Sequence, residues 1–309
     1  MILCCGEALI DMLPGETAEG QAAYVPHCGG SVFNTALALG RLGGRTGLFT
    51  GLSSDVFGQQ LREALAEAGV DLSLSRISPR PSTLAFVHLT GGEASYSFLD
   101  NGSAGSSLSP ADIPEMPGSA EALFFGGISL CNPPAAEAYL ALAQREAGRR
   151  MVMLDPNVRA GFAQDEAAYR ARLQEMIALA DIVKVSEEDI SWLCPCGDRE
   201  EKLRELGGAG PQLLLLTRGG KGAEAHLADG RVVQVDAVPV EAADTVGAGD
   251  TFNAGFLAKA QELGVLQAAA DGTIASKDLE SCMRYAVQAA AVTVARAGAS
   301  PPWKSELPG

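Results

Sequence analysis

One glycine-rich segment in the C-terminal third of the chain combines the residue types needed for chemistry on a phosphate. It reads Asp244-Thr245-Val246-Gly247-Ala248-Gly249-Asp250-Thr251-Phe252-Asn253-Ala254-Gly255-Phe256. The small residues at 247–249 let the backbone approach a ligand closely, and the apolar helix expected to follow would present free N–H groups to an anion. A carboxylate repels a phosphate, so Asp250 needs a reason to be there. Accepting the proton of an attacking hydroxyl is such a reason.

The alternative for this segment is a glycine-rich turn in which Asp250 only caps the helix. That alternative would be preferred for an isolated Gly-x-Gly-Asp, but the thirteen-residue context favours the chemical role. Other phosphate-binding patterns do not fit. No GxxxxGK[ST] occurs in the sequence, and Phe252 stands where a dinucleotide fingerprint has its third glycine.

A second polar segment, Asp155-Pro156-Asn157-Val158-Arg159, follows an apolar run that is typical of a buried strand. Open α/β sheets bind ligands at the carboxyl ends of their strands. Arg159 can donate two parallel hydrogen bonds to a phosphate or a sugar oxygen. A loop arginine in a surface ion pair is the alternative.

Alternating apolar patterns predict the elements that position these segments. Strands are expected over 2–5, 46–51, 122–125, 151–154, 182–185 and 213–217, and helices over 31–42, 55–68, 134–147, 166–180, 187–193, 247–263 and 276–297. This alternation predicts an α/β fold with a largely parallel sheet covered on both faces. Hairpins are expected around Thr90-Gly91-Gly92-Glu93 and Asp229-Gly230, and the first of them indicates an inserted lid or an edge extension.

Composition excludes several classes of protein. The chain has 309 residues, of which 47% are hydrophobic and 20% charged, so it can bury a sizeable core and is not disordered. Length alone suggests about two domains, at roughly 150 residues each. The net charge of −15 argues against binding to nucleic acid or to an anionic membrane. No run of 18 apolar residues is present, so no membrane span is expected.

The N-terminus and the cysteines indicate a cytoplasmic protein. Residues 1–7 lack a basic region, so we expect a first strand there and not a signal peptide. Seven cysteines form an odd count without the spacing of a disulfide framework, which favours reduced thiols. Cys194-Pro195-Cys196 could be half of a zinc site, but no second pair accompanies it, and ordinary loop cysteines are preferred.

Two segments in the right order resemble the signatures of the PfkB carbohydrate kinases, also called the ribokinase family. The C-terminal one is 244–256, and the N-terminal one is Gly29-Gly30-Ser31-Val32-Phe33-Asn34-Thr35-Ala36 followed by Leu39-Gly40-Arg41-Leu42-Gly43. The resemblance covers about residues 1–302. It implies a ribokinase-like fold, in which a central, mostly parallel sheet is flanked by helices and carries a small β-sheet lid. The expected organisation is a single α/β kinase domain over 1–309, with lid insertions at approximately 11–27 and 84–105.

The resemblance assigns sugar binding to the N-terminal half. The residues concerned are Asp11, Gly29, Gly30 and Asn34, and Phe98, Asp100 and Arg159 are further expected sugar contacts. Asp11 could accept hydrogen bonds from two adjacent hydroxyls, and Asn34 can both donate and accept. Taken alone, Asp11 would more often be a turn residue and Asn34 a helix-surface residue. Many fructokinases carry an arginine on the lid strand, and here Asp100 is expected to replace it as a hydroxyl contact.

The nucleotide is expected along the C-terminal half. The residues that resemble its contacts are Lys184, Ser186, Thr217, Gly219, Gly220 and Gly222, with Asp189 as a metal contact acting through water. A solvated turn lysine is preferred over a phosphate contact for Lys221. Valine at 287, where family members often have asparagine close to the adenine, leaves the base contacts unassigned.

The resemblance implies an ATP-dependent sugar kinase, most similar to fructokinases, that needs Mg²⁺. Asp250 would deprotonate the acceptor hydroxyl, while the amides of Gly247, Ala248 and Gly249 stabilise the transferred phosphoryl group. The alternatives are 2-keto-3-deoxygluconate kinase or ribokinase-type activity, a catalytically silent nucleotide-binding regulator, and a dinucleotide-dependent oxidoreductase. Activation by a monovalent cation such as K⁺ is common in the family. Lid hairpins expose strand edges and apolar faces, which predicts a homodimer formed through the lid.

Overall fold

The computed structural model describes residues 1–90 and 93–307, which form fourteen strands and nine helices. The strands are β1 Ile2–Cys5, β2 Leu9–Glu16, β3 Ala22–Gly29, β4 Thr46–Phe49, β5 Gly51–Ser53, β6 Arg76–Ser78, β7 Leu84–Thr90, β8 Glu93–Leu99, β9 Ala122–Gly126, β10 Met151–Asp155, β11 Ile182–Ser186, β12 Leu213–Thr217, β13 Ala223–Leu227 and β14 Val232–Val235. The helices are α1 Ser31–Arg41, α2 Val56–Glu67, α3 Ala135–Glu146, α4 Glu166–Leu179, α5 Glu187–Leu193, α6 Arg199–Gly207, α7 Ala248–Leu263, α8 Leu266–Ala270 and α9 Ser276–Val294.

The central sheet has eight strands in the order β14-β13-β12-β11-β10-β9-β1-β4. The six strands from β12 to β4 are parallel, and β13 and β14 extend the edge as an antiparallel hairpin. The chain leaves β1 for β4 on one side and later returns to β9 on the other. This reversal opens a crevice at the carboxyl ends of β1 and β9, where open α/β sheets bind ligands.

Two hydrophobic cores cover the two faces of this sheet. Alternation along β1 sends Ile2 and Cys4 into the core that contains residues of α1, α2 and α7 to α9. Leu3 and Cys5 point into the other core, which contains residues of α3 to α6. Strands buried on both faces have no polar side to alternate with, which is why they are continuously apolar in the sequence.

A second, four-stranded sheet in the order β3-β2-β7-β8 extends from the main body. β2 pairs with β3 and β7 with β8 in antiparallel hairpins, and β2 pairs with β7 in parallel. In this register Asp11 lies opposite Ala85, and Ala85 lies opposite Phe98. Residues in one row share a face of the sheet, so the pairing places Asp11 and Phe98 on the same side.

Most predicted elements are present within a residue or two of their expected ends. The expected strand 46–51 is two strands, β4 and β5, which belong to different sheets. The sequence reading missed the helices α6 and α8. The turn expected at Thr90–Glu93 falls on Gly91 and Gly92, which lie outside the described residues. Within the described part of the chain, no helix is long and apolar enough to cross a membrane.

Candidate active site

A cavity of about 380 Å³ opens at the crevice between the carboxyl ends of the parallel strands and the second sheet. It is lined by predicted site residues from six separate segments, namely Asp11, Gly30, Asn34, Phe98, Arg159, Lys184, Ser186, Asp189, Gly247, Gly249 and Asp250. Other lining residues include Glu7, Ser31, Tyr96, Asn157 and Glu188. The fold therefore gathers groups that are far apart in the sequence, with Glu7 and Asp250 separated by 243 positions.

Asp250 lies at the buried end of this cavity, in the first turn of α7, and is 6% exposed. Its Oδ1 accepts a hydrogen bond from the Ser31 hydroxyl at 2.7 Å, and its Oδ2 accepts one from Nδ2 of Asn34 at 2.9 Å. Both donors belong to the first turn of α1, so the packing of α1 against α7 fixes the carboxylate. Oδ1 of Asn34 is buried and has no hydrogen-bond partner among the described residues.

Burial raises the pKa of Asp250 to about 6. The hydrogen bonds from Asn34 and Ser31 act in the opposite direction because they stabilise the charged form. Asp155 raises the pKa further by charge repulsion, and Lys184 lowers it. A carboxylate with a pKa near 6 is ionised at neutral pH and is a stronger base than an exposed aspartate, which suits it to accept a proton.

Asp11 is the second carboxylate of the cavity. Burial and the charge of Asp250 raise its pKa to about 6. None of the described residues donates a hydrogen bond to this side chain, so its oxygens are available to ligand hydroxyls. Its position depends on Gly29, where an added Cβ would lie 2.0 Å from Oδ2 of Asp11. The missing side chain at 29 makes room for this carboxylate.

Aromatic rings of β8 form the outer wall of the cavity. Tyr96 stacks on Phe98, with ring centroids 6.0 Å apart and planes at 20°. Phe98 also meets Phe162 edge to face at 4.5 Å. The ring face of an aromatic side chain packs well against the apolar C–H surface of a small ligand, while the carboxylates opposite accept its hydroxyls.

The loop after β10 is held by a fully buried ion pair. Oδ2 of Asp155 accepts hydrogen bonds from Nζ of Lys184 at 2.9 Å and from Nδ2 of Asn253 at 2.7 Å. Burial alone would lower the pKa of Lys184, but the carboxylates of Asp155, Asp189 and Asp250 raise it above its usual value. Lys184 therefore stays charged where it lines the cavity.

Asp189 has a structural role in this arrangement. Its Oδ2 accepts hydrogen bonds from the backbone and the hydroxyl of Ser186, which completes a capping box at the start of α5. Its Oδ1 accepts a hydrogen bond from the backbone N–H of Val158 at 2.8 Å. Three protein donors thus account for this buried carboxylate without a metal, so a metal role for Asp189 remains a prediction.

A second cavity, of about 530 Å³, lies on the other side of the Gly247–Asp250 turn. Six predicted nucleotide or phosphate residues line it, namely Thr217, Gly219, Gly220, Gly222, Ala248 and Gly249. The remaining wall is almost wholly apolar and includes Phe252, Val238, Val240, Val287 and Val294. Such a slot fits a flat, weakly polar ring system better than a sugar.

The start of α7 separates the two cavities. Gly247 precedes the helix in a left-handed conformation, with φ 77°, which is open to glycine without strain. No acceptor in residues 1–90 and 93–307 takes the amides of Gly249 and Asp250, so the first turn has free donors. Gly249 lines both cavities. Free amides and the helix dipole make this turn an anion site where the two cavities meet.

A family model for the pfkB family carbohydrate kinases matches residues 1–306. The chain belongs to this family. A fructokinase of Rhizobium leguminosarum bv. trifolii is 48% identical over 84% of this chain and 79% of its own length. Among solved structures, a Xylella fastidiosa fructokinase with bound ATP superposes with a TM-score of 0.86 at 28% identity, covering 99% of this chain and 94% of its own. A Vibrio cholerae fructokinase bound to fructose, ADP and calcium gives a TM-score of 0.84 at 26% identity, covering 96% and 94%.

Membership of the pfkB family confirms the resemblance found in the sequence, and the ribokinase-like fold is confirmed as well. Two predicted sugar contacts lie outside the larger cavities. Asp100 borders a separate space of about 30 Å³, and its Oδ1 accepts hydrogen bonds from the hydroxyls of Thr83 and Ser103. Gly29 lies behind Asp11. In this structure Asp100 therefore binds the hydroxyls of neighbouring side chains, and Gly29 leaves space for the carboxylate of Asp11.

Two predicted nucleotide contacts also lie elsewhere. Lys184 and Ser186 line the cavity that holds Asp11, not the apolar one. Lys221 is exposed. Lys184, on β11, lies next to the start of α7, since a Cβ on Gly249 would be 3.0 Å from its Nζ. It is therefore close to the anion site and does not line the apolar cavity.

Four further residues of this pfkB kinase were missed as functional candidates. They are Glu7, Ser31, Asn157 and Asn253, of which the last three carry the hydrogen bonds around Asp250 and Asp155. A signal existed for Asn253, since a polar residue three positions after Asp250 lies on the same face of an otherwise apolar helix. Glu7 is buried and accepts a hydrogen bond from the amide of Ser31 at 2.9 Å, which holds the start of α1.

We expect Asp250→Asn to be more stable than the wild type at pH 8, by about 1 to 3 kcal/mol. The folded-state pKa is raised, so ionised Asp250 destabilises the fold above about pH 6, and this penalty disappears as the pH falls toward 4. The Asn34 amide can turn over and offer its unpaired oxygen to the new amide. Urea unfolding at pH 8 and pH 4 measures the difference. Asp236→Asn, at an exposed position, is the control, and an equal gain at both pH values would contradict the explanation.

Gly29→Ala is expected to destabilise the fold by about 1 to 3 kcal/mol, because its Cβ would overlap the Asp11 carboxylate. In an Asp11→Ala background most of this loss should vanish, since the overlapping atoms are gone. Denaturant unfolding of the two single variants and the double variant measures the coupling. Gly118→Ala, where a Cβ meets nothing within 4 Å, is the matched control. Additive effects of the two substitutions would contradict this account of Gly29.

Proposed function

We propose that this protein is a fructokinase, which transfers the γ-phosphoryl group of ATP to a hydroxyl of fructose. The observation that carries the proposal is the position of Asp250, a buried carboxylate at the junction of a polar cavity, an apolar cavity and a turn of free amides. The fructokinase relatives support the choice of sugar.

The polar cavity binds the sugar. Asp11 accepts hydrogen bonds from hydroxyls, Oδ1 of Asn34 takes another, and the Phe98 ring covers the apolar surface of the sugar. Arg159 lines the same cavity and is exposed, and its Nη1 donates to the carbonyl of Val158 at 2.9 Å. Its remaining N–H groups face a sugar oxygen or the transferred phosphoryl group.

Asp250 is the general base. It accepts the proton of the sugar hydroxyl while the hydroxyl oxygen forms its bond to the γ-phosphorus and the bond to the departing ADP oxygen breaks. The amides of Gly249 and Asp250 stabilise the negative charge on the transferred group, together with that of Gly247. The amide of Ala248 donates to the carbonyl of Thr245 at 3.3 Å, so it would have to leave that bond to contribute. Lys184 adds positive charge beneath the turn.

The apolar cavity binds the nucleotide, and the glycines at 219, 220 and 222 leave space along its edge. Within residues 1–90 and 93–307, no cluster of three metal-ligating side chains is present. Mg²⁺ typically binds one or two carboxylates together with phosphates and water, so a nucleotide-bound Mg²⁺ near Glu188 fits this site. When bound, the ion neutralises charge on the β- and γ-phosphates. The proposal also includes activation of the enzyme by a monovalent cation such as K⁺.

The second sheet acts as the lid, with the insertions at about 11–27 and 84–105, and the enzyme works as one kinase unit over 1–309. Lid closure excludes water, so that ATP is not hydrolysed. Tyr24, Val25 and Leu99 are exposed on this sheet, which supports a homodimer formed through the lid. We place the enzyme in the cytoplasm, where its free cysteines stay reduced.

The decisive experiment is steady-state kinetics of ADP production with ATP-Mg and a panel of acceptors. The panel contains fructose, tagatose, ribose, 2-keto-3-deoxygluconate and nucleosides. We expect the highest kcat/KM with fructose. Asp250→Ala should lower kcat by about 10²- to 10⁴-fold because the proton has no acceptor. ATP binding, measured by calorimetry, should remain close to that of the wild type.

Two outcomes would contradict the proposal in different ways. Near-normal turnover in Asp250→Ala would remove the base assignment. A higher kcat/KM with a nucleoside or another sugar would replace fructose as the acceptor, and no turnover with any acceptor would favour a nucleotide-binding regulator.

Val287→Phe tests the nucleotide cavity. Val287 is buried and lines that cavity, so a larger side chain should obstruct the base and raise KM for ATP roughly tenfold, about 1.4 kcal/mol of binding. KM for fructose should stay unchanged, since the sugar lies on the other side of α7. Val56→Phe is the matched control because Val56 is 73% exposed at the start of α2. An equal rise of both KM values in Val287→Phe would refute the assignment of the two cavities.

A further inference from the structure

Ser31 lies in a chain of hydrogen bonds that ends on the Asp250 carboxylate. Its hydroxyl donates to Oδ1 of Asp250 at 2.7 Å and accepts from Nδ2 of Asn157 at 2.8 Å. A hydroxyl has one proton, so the bond accepted from Asn157 leaves that proton directed at Asp250. The two bonds run in one direction, from amide to hydroxyl to carboxylate, and bonds in such a chain strengthen one another.

Asn157 is held in an unusual conformation that keeps its amide on Ser31. With φ 39°, it is the one non-glycine residue with positive φ in residues 1–90 and 93–307. Asparagine adopts positive φ more readily than most residues with a Cβ, and contacts of the surrounding backbone hold it there. Here the backbone N–H of Asn157 donates to Oδ1 of Asp155 at 3.1 Å, and that of Val158 donates to Oδ1 of Asp189. Two buried carboxylates thus fix the loop.

We propose that Ser31, held in place by Asn157, is a positioning residue that orients the Asp250 carboxylate and stabilises its charged form. The role rests on the proposed function, because it matters only if Asp250 accepts a proton. Ser31 and Asn34 together occupy one acceptor direction on each carboxylate oxygen. The remaining lone pairs of Asp250 then have a fixed direction, toward the cavity that binds the acceptor hydroxyl.

The charges around Asp250 explain why this support is needed. Glu7, Asp11 and Asp155 are carboxyl groups that interact with Asp250, and Lys184 is the cation that opposes them. Arg159, Glu188, Asp189 and Tyr96 also line the cavity. Burial raises the pKa of Asp250, while the bonds from Ser31 and Asn34 lower it. Removal of the Ser31 hydroxyl should therefore raise the pH that the enzyme needs for activity.

The test is the pH dependence of kcat/KM for the sugar in the wild type, Ser31→Ala, Asn157→Gly and the double variant. Glycine at 157 tolerates the positive φ, so this variant removes only the amide side chain. We expect the acid limb to move up by about one pH unit in Ser31→Ala. Asn157→Gly should move it less, in the same direction. The double variant should match Ser31→Ala, because Asn157 acts through Ser31.

Two controls separate this role from a structural one. Ser31→Thr keeps the hydroxyl and should restore the wild-type acid limb. Ser73→Ala, at an exposed position that does not line the cavity, should leave the acid limb unchanged. Thermal melting at each pH establishes that the variants are folded. If Ser31→Ala does not fold, the shift in Asn157→Gly, compared with the wild type, decides the question.

An acid limb that stays in place in both Ser31→Ala and Asn157→Gly would overturn the proposal, as would a rise in KM for the sugar alone. Independent, additive shifts would overturn the order in which the residues act. These results differ from a failure of the proposed function, in which the wild type itself produces no ADP with any sugar at any pH.

Discussion

The charge on Asp250 is the constraint on which the rest of the site depends. In the proposed reaction Asp250 must be ionised before it accepts a proton, yet this carboxylate is buried beside a turn suited to phosphate. Burial alone would favour the neutral acid, and the donors of Ser31 and Asn34 oppose that effect. Both donors lie in the first turn of α1, so the carboxylate stays functional only where α1 packs against the start of α7. The packing of α1 against α7 thus determines whether Asp250 carries its charge.

The parallel sheet delivers these groups to one place. Its strands end at a common edge, so the segments after β1, β9, β10 and β11 meet there without long connections. The second sheet covers this edge from the other side, and its register directs Asp11 and Phe98 inward together. A slip of β2 against β7 by one residue would place Asp11 on the opposite face of the sheet from Phe98. Strand pairing in the small sheet is therefore as important to sugar binding as the residues themselves.

Local patterns in the sequence were sufficient for the fold and for part of the site. Strong apolar periodicity located most elements, and continuous segments revealed Asp250 and the turn before it. Helix α6 was missed because it buries only Leu203 and Leu206, although Asp198 and Glu201 form a capping box there. The hydrogen bond that Ser31 donates to Asp250 joins residues 219 positions apart, and the one that Ser31 accepts from Asn157 joins residues 126 positions apart. Spacing along the chain carries no information on such contacts, and the hydrogen bond that Asp100 accepts from Thr83 was not predictable from it either.

The strong negative charge of the chain does not conflict with phosphate chemistry, because the relevant field is local. At net charge −15, a distant phosphate is repelled, but salt screens that repulsion beyond roughly 10 Å. Inside the site, the free amides of α7 and the ammonium of Lys184 act at short range. A Cβ on Gly249 would lie 3.0 Å from Nζ of Lys184. Glycine at this position therefore lets the ammonium group lie close to the free amides. Asp155 keeps the lysine charged without neutralising the amides. Under the proposed function, this local field explains how an acidic protein holds a phosphoryl group where Asp250 acts on its acceptor.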